Sequence, residues 1–157
     1  FAVQLAKHRG AIVIGTARAE NHDYVRGLGA DYVVDYTATE VGEEVRRWFP
    51  RGVDVALDAV GGATQVHTAS LVRQGGTLVT ILAPQAETEA VLKRRGARLA
   101  YVFVAPNAAQ LRRLTTLVES GRLRVHLAAT LPLSEAAEAQ RRVQSGHTRG
   151  KIVLQVS

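Results

Sequence analysis

The chain has 157 residues, 46% hydrophobic and 22% charged, with 14 glycines and neither cysteine nor methionine, a composition that suits one globular domain with a real core and not a disordered tail. Without cysteine, these residues cannot form disulfides, thiolate-ligated zinc or a cysteine nucleophile, and no apolar run reaches the roughly 18 residues that span a bilayer. The formal charge of +6 favours an anionic ligand without naming one.

The opening stretch, Phe1-Ala2-Val3-Gln4-Leu5-Ala6-Lys7-His8-Arg9-Gly10, reads as the last turns of a helix. Gly10 stands where a left-handed cap belongs, but no N-cap residue or acidic first turn precedes the apolar run. The expectation is that Phe1 is an internal residue of a longer polypeptide. Apolar runs then alternate with amphipathic stretches, the pattern of parallel strands joined by helical crossovers. Strands are expected at 11–16, 32–35, 53–58, 77–82 and 99–104, each near-continuously apolar, as when a parallel sheet is covered on both faces. Helices are expected at 21–28 closed by Gly29, 40–49 broken by Pro50, 63–71 closed near Gly75, and 86–95. From Asn107 the spacing of Leu111, Leu114, Leu117 and Val118 predicts one long helix stopped by Gly121. The tail reads as strand 125–128, helix 134–144 with Ser134 as N-cap, and strand 151–156, a segment returning to another domain.

The basic groups Lys93-Arg94-Arg95, Arg112-Arg113, Arg122 with Arg124, and Arg141-Arg142 fall mostly on predicted helices with no aromatic platform between them. Solvated helix faces account for them, so nucleic acid is not the expected partner. His8, His22, His67, His126 and His147 lack metal-ligand spacing, and no metal site is expected. Ser70, Ser134 and Ser145 lack the glycine-flanked elbow of a hydrolase nucleophile. Asp54 and Asp58 share one face of a strand and are expected to bond backbone or cap helices.

Several words in order carry more: Val3-Gln4-Leu5-Ala6-Lys7, Leu28-Gly29-Ala30-Asp31, Val53-Asp54-Val55-Ala56-Leu57-Asp58-Ala59-Val60-Gly61-Gly62, Gly75-Gly76-Thr77-Leu78-Val79, and Gly146-His147-Thr148-Arg149-Gly150-Lys151-Ile152-Val153-Leu154. Together they resemble the cofactor-binding, C-terminal half of the medium-chain dehydrogenase/reductase superfamily. The nearest likeness is its quinone-oxidoreductase-like, NADP-dependent branch, which is related to the zinc-type alcohol dehydrogenases. The resemblance implies an α/β fold: a Rossmann-like, doubly wound parallel sheet over 1–124, here without the family's first strand and glycine-rich turn, and a return segment over 125–157. The family's N-terminal catalytic domain has no counterpart in these residues. The missing strand would lie between the strands beginning near Ala11 and Val53, leaving both edges unpaired.

In such sheets ligands sit beyond the carboxyl ends of the strands. The turn Gly15-Thr16-Ala17-Arg18 has no acid, and a small residue plus an arginine suits a 2′-phosphate. The resemblance adds Tyr36 at the adenosine end, Ala59 and Val60 near the ribose or nicotinamide, and Ile81, Leu82, Phe103 and Val104 as an apolar wall. Lys151 is a candidate for the cofactor phosphates or ribose.

The function implied is the NADP(H)-binding portion of an enzyme passing hydride to a quinone, an enone or another activated alkene. This portion alone is expected to be inactive, and the catalytic residues are unassigned. A non-catalytic nucleotide- or RNA-binding module and an enoyl-reductase segment of a larger synthase stand as alternatives. The expected partner is a small electrophile, with no membrane and a homodimer through the 99–104 region. The expected compartment is the cytoplasm.

Overall fold

The computed structural model describes residues 1–146 and 148–156. In chain order they form α1 (Ala2–His8), β1 (Ile14–Thr16), a 3-10 turn (Ala19–Asn21), α2 (His22–Gly27), β2 (Tyr32–Val34), α3 (Val41–Trp48), β3 (Val53–Asp58) and α4 (Gly62–Ala69). There follow β4 (Val72–Thr80), α5 (Ala86–Arg95), β5 (Arg98–Tyr101), α6 (Ala108–Glu119), β6 (Leu127–Pro132), a second 3-10 turn (Leu133–Glu135), α7 (Ala136–Gln144) and β7 (Lys151–Gln155). Local chemistry explains several boundaries. The Glu40 carboxylate caps α3 by accepting from Gly42 N at 3.0 Å, and Asn107 caps α6 by accepting from Gln110 N at 2.9 Å. Glu87 and Glu89 open α5 and Lys93, Arg94 and Arg95 close it, matching the helix dipole at both ends.

Every strand pair is parallel, in separate sheets ordered β1-β2, β3-β4-β5 and β6-β7. The register sets Ala56 beside Leu78 and Leu78 beside Leu99. That row faces Ala69 of α4 and Leu92 of α5 and, with Val72, forms the core. Among the described residues β1 pairs only with β2, and β3 only with β4, so both retain the unpaired edge expected from the sequence. The first segment is tied elsewhere instead. Gln4 and Arg124 exchange two bonds at 3.0 and 2.8 Å, Tyr24 meets His126 edge-on at 5.1 Å, and Lys7 pairs with Asp31 at 2.9 Å.

Several expectations change, beginning with β1, which starts at Ile14 and not at Ala11. Strand β3 is not covered on both faces: α4 and α5 pack over Ala56, whereas Val55 and Leu57 on the opposite face are 62% and 50% exposed, because no described element lies over them. Strand β4 starts at Val72, since α4 already ends at Ala69; Gly75 and Gly76 therefore lie inside the strand, beside a register shift against Val53 and Val55, and do not close a helix. Strand β6 is displaced along the chain to Leu127–Pro132, where its pairing with β7 extends to Pro132 opposite Gln155. Ser134 does not cap α7: the 3-10 turn Leu133–Glu135 intervenes and places Glu135 immediately before the helix.

Candidate functional site

The carboxyl ends of β3, β4 and β5 lie side by side, with Asp58 opposite Thr80 and Thr80 opposite Tyr101. The ladder continues one step past the strands through Ile81 N to Asp58 O at 3.3 Å and Val102 N to Thr80 O at 2.9 Å. Thus Ile81 and Leu82, expected within a strand, lie just beyond β4, and Phe103 and Val104 lie beyond β5. These apolar residues are not core. Val60 is 70% exposed, Phe103 79% and Val104 84%, with Ile81 and Leu82 also exposed, so the strand ends present an apolar rim of the kind that lines ligand sites.

Beneath that rim is a buried polar network. Asp58 Oδ1 accepts from Val60 N at 3.2 Å and Gly61 N at 3.0 Å. Its Oδ2 accepts from Gln65 Nε2 at 3.1 Å and Thr80 Oγ1 at 3.0 Å. Burial acts to raise the Asp58 pKa, but the bonds from Gly61, Gln65, Val60 and Thr80 outweigh it and hold the carboxyl below its ordinary range. The backbone bonds expected of Asp58 are therefore present, while Asp54 is exposed and pairs with Arg73 at 2.6 Å. Gly61 adopts φ 77°, and a Cβ there would stand 2.9 Å from Leu82 Cδ1, so the turns after β3 and β4 touch.

At the end of β1, Thr16 and Arg18 are exposed, and the Arg18 guanidinium makes no ion pair among the described residues. The neighbouring strand brings an acid to this turn that the local sequence does not show. Asp35 Oδ2 accepts from Ala19 N at 3.1 Å, while Oδ1 accepts from Thr37 N at 2.8 Å and Thr37 Oγ1 at 2.6 Å. The Thr37 side chain, followed by its amide, holds this carboxyl below its ordinary range. His22 Nε2 lies 3.1 Å from Ala17 O on the other side of the turn. Tyr36 follows directly and is exposed. His22 was weighed from sequence only as a metal ligand, and Asp35, Gln65 and Thr80 were given no role. For Asp35 and Thr80 a polar residue at the end of an apolar strand was the available signal.

Ala59 is exposed in the β3 turn beside Val60. Lys151 opens β7 in the third sheet, and its ammonium lies 5.8 Å from the Phe1 ring centroid at the start of α1. His147 falls outside the described residues. No group of three or more His, Cys, Asp or Glu able to hold a metal occurs among the described residues. No described helix is long and apolar enough to cross a membrane.

A sequence profile of the zinc-binding dehydrogenases matches residues 28–154. The chain belongs to the zinc-binding dehydrogenase family. The mouse mitochondrial NAD(P)H oxidoreductase RTN4IP1 is 30% identical over 178 aligned positions, covering 99% of this chain and 44% of the relative. Two solved family structures superpose on nearly the whole chain. An NAD-dependent alcohol dehydrogenase gives a TM-score of 0.89 at 30% identity, covering 99% of this chain and 47% of its own. The quinone oxidoreductase from Coxiella burnetii gives 0.87 at 30%, covering 99% and 48%. The chain spans less than half the length of the curated zinc-binding dehydrogenase relatives it matches first. Its Rossmann-like α/β fold is that of the family's C-terminal domain.

Proposed function

We propose that this chain is the NADP(H)-binding portion of an oxidoreductase that reduces a quinone, an enone or another activated alkene. The reading rests on Arg18. Among the described residues its guanidinium makes no ion pair at the end of β1, in a turn whose adjacent carboxylate, Asp35, is already bonded to Ala19 and Thr37. A phosphate is the group such a turn receives best, because guanidinium binds it bidentately and the nearby acid is engaged by the protein itself. The names of relatives support the nicotinamide part of the reading: the mouse protein is an NAD(P)H oxidoreductase.

When bound, the nicotinamide supplies the hydride. The chain's own residues hold and orient it. Arg18 and Thr16 take the 2′-phosphate, Tyr36 flanks the adenosine, and Lys151 serves the phosphates or ribose. Ala59, Val60, Ile81, Leu82, Phe103 and Val104 exclude water beside the ring. The reducible partner is a small electrophile, neither nucleic acid nor a membrane. The absence of cysteine suits a reducing compartment, whether cytoplasm or the mitochondrial setting named for the mouse relative.

The test is oxidation of NADPH by the enzyme containing this portion with a benzoquinone, an α,β-unsaturated ketone or a simple aldehyde, followed through the reduced nicotinamide's absorbance. Turnover with the quinone or enone but not the aldehyde is expected of the enzyme containing this portion. NADPH that binds but is consumed with none of the three limits the chain to cofactor binding. Turnover with the aldehyde alone contradicts the substrate class.

A further inference from the structure

We propose that Thr80 and Asp58 are positioning residues for the nicotinamide end of the site, fixing the spacing of the turns that carry Val60 and Leu82. The proposal rests on the cofactor reading above, which makes those turns nicotinamide-facing. Its support is the completeness of the bonding. Asp58 is 3% exposed and Gln65 and Thr80 are fully buried. A carboxylate offers about four lone-pair sites, and here four donors fill them: Val60 N, Gly61 N, Gln65 Nε2 and Thr80 Oγ1. Thr80 has one proton to give and two lone pairs to receive with. Its proton has Asp58 Oδ2 at 3.0 Å and Leu82 O at 3.1 Å as acceptors, and its oxygen accepts from Gln65 Nε2 at 3.0 Å and Leu82 N at 3.1 Å. Gln65 gives both amide protons to this pair and accepts from Gln85 N, ahead of α5, at 3.1 Å.

Removing the Thr80 hydroxyl takes one donor from the buried Asp58 carboxylate and leaves Leu82 N without its side-chain acceptor. Burying a charge is an expensive way to hold a fold together, since apolar packing of similar volume often does as well. The donors around Asp58 and Thr80 include the amides that shape the two rim turns. A merely structural network would lower stability when broken and leave ligand preference alone. A positioning network also moves affinity at one end of the ligand.

Thr80→Val keeps the shape and removes the hydroxyl; Thr80→Ser keeps the hydroxyl. Amide hydrogen exchange, read without nucleotide, is expected to quicken about tenfold at Leu82 in Thr80→Val and to match the parent chain in Thr80→Ser. Titration then compares NADPH with adenosine 2′,5′-bisphosphate, which carries the adenosine end alone. Thr80→Val is expected to weaken NADPH about tenfold, leave the bisphosphate unchanged, and be rescued by Thr80→Ser. Equal exchange at Leu82 in both variants, or equal weakening of both ligands, overturns the proposal. A parent chain that binds neither ligand overturns the cofactor reading and the nicotinamide role with it. A parent chain that binds both, with the two variants alike, overturns this proposal alone.

Discussion

The hydroxyl of Thr80 donates to Asp58 Oδ2 at 3.0 Å, joining the last residues of two neighbouring parallel strands inside the protein. Because the same carboxylate also receives two backbone amides of the following turn, its ionised form is built into the fold.

That has a consequence in acid. The folded pKa of Asp58 lies below its ordinary value, so its contribution is complete above an unfolded value of about 3.9 and is lost as pH falls through the folded value. Asp31, Asp35 and Glu138 shift in the same direction. Asp58→Asn should lower stability at neutral pH by about 1–3 kcal/mol, since two of the four acceptor positions become donors facing donors. Thermal melts from about pH 6 down to pH 2 should show a steep loss in the parent chain and a shallower one in the variant. Parallel curves would remove Asp58 from the account.

Two glycines separate strain from contact. Gly61→Ala places a Cβ at positive φ against the flexible end of Leu82, and a loss of about 1–2 kcal/mol is expected. Gly52→Ala, at φ 89°, drives its Cβ into the backbone carbonyl of Leu71, which cannot swing aside. Denaturant titration should rank Gly52→Ala as the more damaging; the reverse order would contradict the geometry of both turns.

The unpaired edge of β3 lies beside exposed Val55 and Leu57, a combination that invites pairing between chains. Light scattering at micromolar concentration should give a mass above the 16.9 kDa monomer. Val55→Lys should move it toward the monomer, whereas Phe103→Asp reports on a homodimer formed instead beyond β5. A parent chain that is already monomeric would rule out both routes.

The alternation of apolar runs made the parallel fold legible, and the Gly61-Gly62 pair placed the turn after β3, whereas Gly75 and Gly76 read as a helix stop and lie inside β4. Register was not legible. Asp35 reaches Ala19 because Thr16 is paired with Val34, a relation between distant positions that no local pattern carries. Thr80 and Gln65 passed as ordinary polar residues because their bonds run across strands and a helix. The open face of β3 was missed for a similar reason: its sequence is as apolar as that of a covered strand, and coverage depends on neighbours elsewhere in the chain. Ser134 was a good cap by composition, but the 3-10 turn ahead of α7 moved the helix start beyond it.

The central claim is that the end of β1 selects a 2′-phosphate through Arg18. Calorimetric titration of the parent chain and Arg18→Glu with NADPH and NADH measures this directly. The account predicts that NADPH binds the parent more tightly than NADH, and that Arg18→Glu weakens NADPH by about tenfold or more while changing NADH little. Equal affinity for the two cofactors in the parent, or an equal loss of both in the variant, would contradict it.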